Sequence, residues 1–261
     1  MSFPANGDYQ ESGRYNQHGI IMRNIGKLTF RPEDVVLDVG CGAGEETKAL
    51  ASKVSSVTGV DTSEEKVAFA RANNSEPSVT YGLGDAQTIG DNPDYLGRFD
   101  KAVSFFVLHW CPDPAKALRS ILACLKPGGE GLLMVGNRTT FPPDVRAFLG
   151  SHARWGEYVK GFKGSQYFWK RSISEAEELM ATCGWTKVQC EIQHRLPTTE
   201  LQTKLFFKTA IGITARIPES DQEAYLEDLW QWALSRYQVE TQDGHVCIPI
   251  EYLVIHACKP L

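Results

Sequence analysis

Three glycines at alternate positions, Gly40, Gly42 and Gly44, follow the apolar run 35–39, and the carboxylate of Asp61 ends a second apolar run. Glycine lets the backbone approach a ligand without side-chain clash, and a carboxylate can accept hydrogen bonds from both hydroxyls of a ribose. The order strand, glycine turn, helix, strand and acid is typical of half of a nucleotide-binding α/β fold. It predicts an adenosine-containing cofactor.

Two cofactors compete for this motif. The dinucleotide fingerprint G-x-G-x-x-G requires a third glycine where this sequence has Glu45. Glu45 and Glu46 would also place negative charges beside a diphosphate. The pattern D-x-G-x-G-x-G, which begins at Asp38, instead resembles the motif of the class I S-adenosylmethionine-dependent methyltransferases. An acidic rim suits the sulfonium and ammonium groups of that cofactor, so the resemblance implies S-adenosyl-L-methionine.

Further segments of the same family pattern follow in order. The run 79–86 contains Asp85, and the resemblance implies that this acid binds the adenine amino group. Residues 99–106 are predicted to form the fourth strand, whose end approaches the methyl group. The run 125–129, Leu-Lys-Pro-Gly-Gly, predicts a turn before a fifth strand at 130–135. The cofactor-binding residues that the resemblance implies are Asp38, Gly40, Gly42, Gly44, Asp61, Thr62, Asp85, Ala86 and Phe105.

The rest of the chain predicts the elements that position these residues. Residues 1–32 are expected to form an N-terminal helical cap, with one amphipathic helix over 9–30 that has some irregularity. Residues 33–136 are expected to form the cofactor-binding core, and residues 137–261 to supply lid segments and the C-terminal strands. The chain is predicted to be a single methyltransferase domain over 1–261.

Two alternating apolar runs, 186–192 and 252–258, predict the last strands. With them the predicted fold class is α/β: a doubly wound, mostly parallel sheet of seven strands, as in the Rossmann-like class I methyltransferases. The last strand is expected to run antiparallel, between the fifth strand and the sixth. Helices between residues 200 and 237 are expected to form a lid over the substrate.

Composition and charge argue against several classes of function. The chain has 261 residues, of which 42% are hydrophobic, and a net charge of −5. It has no basic run of the kind that binds nucleic acid, and no apolar run resembles a signal peptide or is long enough to span a membrane. The seven cysteines are scattered and lack the spacing of a metal site. We therefore expect free thiols, no metal and a cytoplasmic location, and the sequence leaves the oligomeric state open between monomer and homodimer.

A closer resemblance lies at the end of the fourth strand. The run 104–110, Ser-Phe-Phe-Val-Leu-His-Trp, is similar to the S-F-x-x-L-H-W segment of the arthropod juvenile hormone acid O-methyltransferases. The similarity extends to the C-terminal run 254–260, to the aromatic segment 152–162 and to the N-terminal stretch 9–17, and it departs in the lid helices of 201–237. It implies an enzyme that methylates the carboxylate of a lipophilic small-molecule acid, of the juvenile hormone acid or farnesoic acid type.

The candidate catalytic residues are Gln17, Trp110 and His109. A carboxylic acid with a pKa of about 4 is already ionised at about pH 7, so its methylation needs no general base. The indole N–H of Trp110 and the side-chain amide of Gln17 could hold one carboxylate oxygen. Trp110 could otherwise pack in the core under the lid, and Gln17 could lie on a solvated helix face. His109 could act as the base for a phenol or amine, orient a water or the ester product, or cap the helix that starts near Pro112.

Three hypotheses remain open at this stage. The first is the carboxyl O-methyltransferase. The second is a methyltransferase for another small acceptor: a polar acid such as aconitate, or a phenol or amine with His109 as base. The third is a protein that binds the cofactor and has lost turnover. The aromatic residues of 155–169 could form a wall around a long apolar substrate or the core of the lid.

Overall fold

The computed structural model describes residues 17–162, 164, 166–239 and 244–261, and its central feature is a sheet of seven strands. The strands are β1 Val35–Val39, β2 Ser56–Asp61, β3 Val79–Leu83, β4 Phe99–Phe105, β5 Leu125–Thr139, β6 Thr186–His194 and β7 Ile250–Cys258. Their order is β3-β2-β1-β4-β5-β7-β6. β1 to β5 pair in parallel, whereas β7 lies antiparallel between β5 and β6. The predicted fold class and the predicted place of the last strand are confirmed.

Helices connect the strands. The α-helices of the described ranges are α1 Gly19–Asn24, α2 Glu45–Ala51, α3 Glu64–Asn73, α4 Pro114–Cys124, α5 Phe141–Ser151, α6 Gly156–Val159, α7 Ile173–Thr182, α8 Glu200–Ala210 and α9 Gln222–Tyr237. Short 3-10 turns lie at Ile25–Lys27, Ile89–Asp91, Leu108–Trp110, Gly212–Arg216 and Glu219–Asp221. α8 and α9 occupy the segment predicted to be a helical insertion before the last strand.

The sheet is covered on both faces. Val36 belongs to one apolar cluster, and Leu37 and Val39 belong to another, because successive side chains of a strand point to opposite faces. Burial on both faces is the usual condition of a parallel sheet. β6 runs parallel to β5, since both are antiparallel to β7. The carboxyl ends of β1 to β6 therefore share one edge, which is where ligands bind in open α/β sheets.

The N-terminal helix is shorter than the predicted span of 9–30, whose first part, 9–16, lies outside the described residues. α1 ends at Asn24, and the 3-10 turn Ile25–Lys27 follows it. Gly26 lies inside that turn, and glycine is a poor helix former. The prediction of one continuous helix was therefore wrong at its C-terminal end.

The fifth strand is longer than the predicted range 130–135. β5 begins at Leu125, so the predicted turn at 125–129 lies within the strand. The irregularity is still visible, because the pairing of β4 with β5 shifts register between Phe99 and Lys101. Gly128 also has a φ of 74°, which an L side chain rarely adopts.

Candidate active site

A cavity of about 1250 Å³ lies at the carboxyl edge of the sheet. It brings together residues that are far apart in the chain, from the glycine loop after β1 to the segment after β6. The predicted site residues that line it are Gln17, Asp38, Gly40, Gly42, Asp61, Thr62, Asp85, Ala86, Phe105, His109 and Trp110. Gly44 does not line the cavity, and it lies at the end of the glycine loop, against Tyr81.

The three glycines serve different steric needs. Gly40 has a φ of 82°, and a Cβ there would lie 2.1 Å from Cγ2 of Val107. Gly44 has a φ of 88°, and a Cβ there would lie 2.5 Å from the hydroxyl of Tyr81. Gly42 has a φ of 55° and nothing within 4 Å of its Cβ position. The loop is therefore packed at both ends and open in the middle, where a ligand can approach the backbone.

Asp61 holds this loop in place. Its Oδ2 accepts a hydrogen bond from the backbone N–H of Gly42 at 3.0 Å, and its Oδ1 accepts one from Ser63 at 3.0 Å. A carboxylate has about four lone-pair sites, so each oxygen keeps acceptor capacity for a ribose hydroxyl. Asp61 can therefore fix the loop and bind a ribose at the same time.

Asp38 is buried at the end of β1. Thr47 of α2 donates a hydrogen bond of 2.6 Å to its Oδ2. Burial raises the pKa of Asp38 to about 7, although the Thr47 hydrogen bond acts in the opposite direction. Nearby Glu46 and Asp61 add to the rise. Asp38 therefore joins the strand to the helix that starts beneath the glycine loop.

Asp85 and Ala86 lie after β3 on the same side of the cavity. Oδ1 of Asp85 accepts a hydrogen bond of 2.8 Å from the backbone N–H of Gln87. Ala86 is buried. This turn fixes a carboxylate next to the cavity, in the position where the resemblance implies adenine binding.

His109 is buried and neutral. The backbone N–H of Gly136 donates to its Nδ1 at 3.1 Å, so the proton must lie on Nε2. Burial lowers the pKa of His109 to about 4, and its ring stacks on Phe168 with centroids 5.6 Å apart. It does not cap the helix near Pro112, because Asp113 accepts the N-terminal hydrogen bond of α4 instead.

Trp110 and Gln17 lie on the cavity wall. Trp110 ends the 3-10 turn after β4 and is half-buried, so it is not a fully enclosed core residue. Gln17 directly precedes His18, whose Nδ1 lies 3.3 Å from Oε1 of Glu46. That contact places His18 beside the first turn of α2.

The aromatic run of 155–169 divides into two groups. Trp155 is fully buried, and its indole N–H donates to Asp228 at 2.8 Å, which makes it part of the lid core. Phe162 and Phe168 line the cavity. Trp155 therefore fits the interpretation as lid core, and a wall around an apolar substrate stays a prediction for Phe162 and Phe168.

The charges of the lining lie on two sides. The acids come from residues 38–85 and are Asp38, Glu45, Glu46, Asp61, Glu64, Glu65 and Asp85. Lys66 is the cation of that side. The lining residues from 105 to 252 include the cations Arg146, Arg195, Lys208 and Arg216, and within the described ranges they include no acid.

Sequence reasoning missed Arg195, which follows β6. It is 4% exposed, and its guanidinium carbon lies 3.9 Å from the centroid of the Phe206 ring. The position at the carboxyl end of a strand parallel to β5 was the available signal, because site residues gather at that edge.

The residues present fit S-adenosyl-L-methionine. The open position at Gly42 and the acceptor capacity of Asp61 suit an adenosine, and the acids of the same side suit a sulfonium and an ammonium group. Among the described residues, the lining there offers one cation, Lys66, and a diphosphate would need more. Across the described residues, no group of three or more His, Cys, Asp or Glu side chains could hold a metal ion. None of the helices in the described part of the chain is long and apolar enough to cross a membrane.

Comparison with known proteins adds family evidence for the first half of the chain. Residues 37–133 match the family described as Methyltransferase domain. The ubiquinone biosynthesis O-methyltransferase of Pseudomonas paraeruginosa is 36% identical over 103 residues, which are 40% of this chain and 44% of that protein. The chain thus matches less than half the length of this curated relative.

Solved structures extend the likeness to the whole fold. The YcgJ protein of Bacillus subtilis is 20% identical and superimposes with a TM-score of 0.63 over 94% of this chain and 99% of that chain. Phosphoethanolamine N-methyltransferase 2 of Haemonchus contortus, in complex with S-adenosyl-L-methionine, is 19% identical with a TM-score of 0.59, covering 93% of this chain and 53% of that chain. The predicted cofactor agrees with the family and the fold. The family described as Methyltransferase domain thus matches residues 37–133, and the chain as a whole shares the fold of these solved structures.

Proposed function

We propose that the chain is an O-methyltransferase that methylates the carboxylate of a lipophilic small-molecule acid, of the juvenile hormone acid or farnesoic acid type. The observation that carries this proposal is the division of charge in the cavity. Acids line the cofactor side, and cations among apolar side chains line the other. A cationic methyl donor and an anionic acceptor match that division.

The chemistry requires little from the protein beyond positioning. The acid is ionised at about pH 7, and S-adenosyl-L-methionine supplies an electrophilic methyl group when bound. An acceptor oxygen forms the new bond to the methyl carbon, the electrons of the broken carbon–sulfur bond stay on sulfur, and no proton moves. The residues must align the acceptor and exclude water.

Trp110 and Gln17 are proposed to provide this alignment. Both line the cavity, and both carry N–H donors that can hold one carboxylate oxygen and leave the other to react. Because both are neutral, they orient the anion without pairing it as a salt bridge. The apolar wall contributed by Phe162 and Phe168 supports a lipophilic acceptor.

The state of His109 argues against the competing acceptor that needs a base. Its pKa is lowered to about 4, so it is a weak base, and its Nδ1 already accepts the Gly136 N–H. Its Nε2–H is a donor, which suits an anionic oxygen better than a phenol hydroxyl. The related ubiquinone biosynthesis O-methyltransferase supports transfer to oxygen.

The test is a panel of acceptors with labelled methyl donor. We expect label in the base-labile methyl ester of farnesoic acid and of other lipophilic acids. Label confined to aconitate would favour a polar acid, and label confined to phenols or amines would contradict the carboxylate proposal. Tight donor binding with no labelled product across the panel would favour a protein that has lost turnover.

A further inference from the structure

We propose that Arg195 binds a second acidic group of the acceptor, a carboxylate that is not methylated. The inference rests on the proposed function and adds to the same site a preference, among lipophilic acids, for those that carry a second acidic group; farnesoic acid lacks one and would bind without it. Arg195 would then determine specificity at a distance from the reacting oxygen.

The guanidinium of Arg195 is buried without a counter-ion. Its Nε and Nη2 have no hydrogen-bond partner among the described residues, although the side chain lines the cavity and the residue is 4% exposed. A buried charge without a partner is strongly unfavourable. An anionic ligand in the cavity would supply the partner that the guanidinium lacks.

Within the part of the chain that the structure describes, the groups around Arg195 provide packing and no negative charge. The guanidinium lies over the ring of Phe206 at 3.9 Å and close to the side chain of Tyr252. The titratable neighbours are Tyr252 and Cys247, and burial raises the pKa of both, so both are neutral at about pH 7. The backbone N–H of Arg195 donates to the carbonyl of Ile250 at 2.9 Å, which fixes the residue against β7.

The place of Arg195 in the sheet separates it from the reacting oxygen. Its side chain reaches Tyr252 on β7, and β7 is two strands from β4. Neighbouring strands lie about 4.8 Å apart, so the backbones of β7 and β4 lie about 10 Å apart. An acceptor with two acidic groups could span that gap, with the reacting carboxylate near the end of β4 and the second carboxylate at Arg195. A guanidinium fork also binds a carboxylate through two parallel hydrogen bonds, which suits a group that stays in place during the reaction.

The test measures binding without turnover. Isothermal titration calorimetry of the full chain saturated with S-adenosylhomocysteine compares decanoate with decanedioate. We expect the diacid to bind at least about tenfold more tightly than the monoacid, since a hydrogen-bonded charged group contributes about 1.5–3 kcal/mol. Arg195→Met should remove this difference and leave monoacid binding within about twofold of the wild type.

Two further variants make the test specific. Arg195→Lys keeps the charge but loses the fork, and we expect it to restore part of the diacid preference. Arg146→Met removes an exposed cavity-lining arginine, and we expect the preference to remain. Arg195→Met should also keep or raise the melting temperature, because it removes an unpaired buried charge, whereas a purely structural arginine would lower it when replaced.

Several results would overturn the inference. Equal loss of monoacid and diacid affinity in Arg195→Met would show that Arg195 binds the reacting carboxylate, and an unchanged diacid preference would show that it binds neither. Failure of the proposed function would look different. The wild type would then transfer no methyl group to any acid, while the calorimetric preference for the diacid could still depend on Arg195.

Discussion

The two sides of the cavity are built in different ways. On the cofactor side, the decisive features are local: positive φ angles at Gly40, Gly42 and Gly44, and the bond from the Gly42 N–H to Asp61 at 3.0 Å. On the acceptor side, the lining residues belong to segments that are far apart in the chain. These segments are β4, α5, the residue after β6 and the turn Gly212–Arg216. A short sequence motif therefore specifies the cofactor side, whereas the acceptor side forms only when distant segments of the chain come together in the fold.

The two sides of the cavity also differ in the charge of their lining residues. The acids of residues 38–85 face the place proposed for a cationic donor, and the arginines of the other side face the place proposed for an anionic acceptor. Variants on the cofactor side should therefore change donor affinity, and variants on the acceptor side should change turnover or acceptor affinity. The predictions below test that separation.

The largest expected effect is on donor binding. Asp61→Ala removes the ribose acceptor and also the bonds to Gly42 and Ser63. We expect donor affinity to fall by about tenfold to a hundredfold, since each bond to a charged group contributes about 1.5–3 kcal/mol. Calorimetry with S-adenosyl-L-methionine measures this, and the exposed Asp91→Ala is a control. Unchanged affinity would mean that the ribose is held elsewhere.

A change on the acceptor side should act on turnover. Trp110→Phe keeps an aromatic ring at the half-buried position and removes the N–H donor. If that donor aligns the carboxylate, turnover of a lipophilic acid should fall by about tenfold, which corresponds to the loss of one hydrogen bond to a charged group. Donor affinity, measured in parallel by calorimetry, should stay within about twofold. A large loss of donor affinity would show that the two sides are not separable.

A smaller effect concerns stability against pH. Asp38 has an ordinary pKa of 3.8, raised to about 7 by burial in the fold. The folded state therefore holds this proton more tightly than the unfolded chain. This contribution to the free energy of unfolding is fully present below about pH 4 and is lost as the pH rises through about 7.

Asp38→Asn should remove that slope, because an amide does not titrate and its oxygen can still accept the Thr47 hydrogen bond. Urea unfolding of both proteins at several pH values between about 4 and 8 measures the difference in their free energies of unfolding. Parallel curves for the two proteins would indicate that Asp38 is ionised throughout.

The smallest expected effect is at His109. Since its pKa is lowered to about 4, it stays neutral from about pH 6 to 8, where the acid substrate stays ionised. The single-turnover rate should be flat over that range in the wild type and in His109→Gln, whose oxygen can accept the Gly136 N–H. A rate that rises through the usual titration range of histidine, and only in the wild type, would favour an acceptor that must be deprotonated.

The same contrast explains how much could be predicted from the sequence. β1, the glycine turn and Asp61 follow from a contiguous pattern, because strand periodicity and positive φ angles leave local signals. The state of His109 does not, since it depends on the backbone N–H of Gly136, 27 positions away. Arg195 leaves only its position after β6 as a signal, because its burial arises from contacts with Phe206 and Tyr252 that the fold creates.

The predicted boundaries of two elements were wrong, because the backbone there departs from what the sequence pattern suggests. The apolar residues up to Leu28 suggested a continuing helix, but the chain turns at Ile25–Lys27. The Lys-Pro-Gly-Gly run suggested a turn, but it lies within β5. The pairing of β4 with β5 shifts register at this place. The first boundary follows from Gly26, a poor helix former, and the second from the pairing of β5 with β4 and β7.

The most direct test of the charge division compares ligands that differ only in the head group. Decanoate, decanol and decylamine carry negative, zero and positive charge at about pH 7, and calorimetry on the protein saturated with S-adenosylhomocysteine gives their affinities on the acceptor side. The account predicts that decanoate binds most tightly, decanol more weakly by about tenfold, and decylamine weakest of all. Equal affinities, or tightest binding of the amine, would contradict an acceptor side built for an anion.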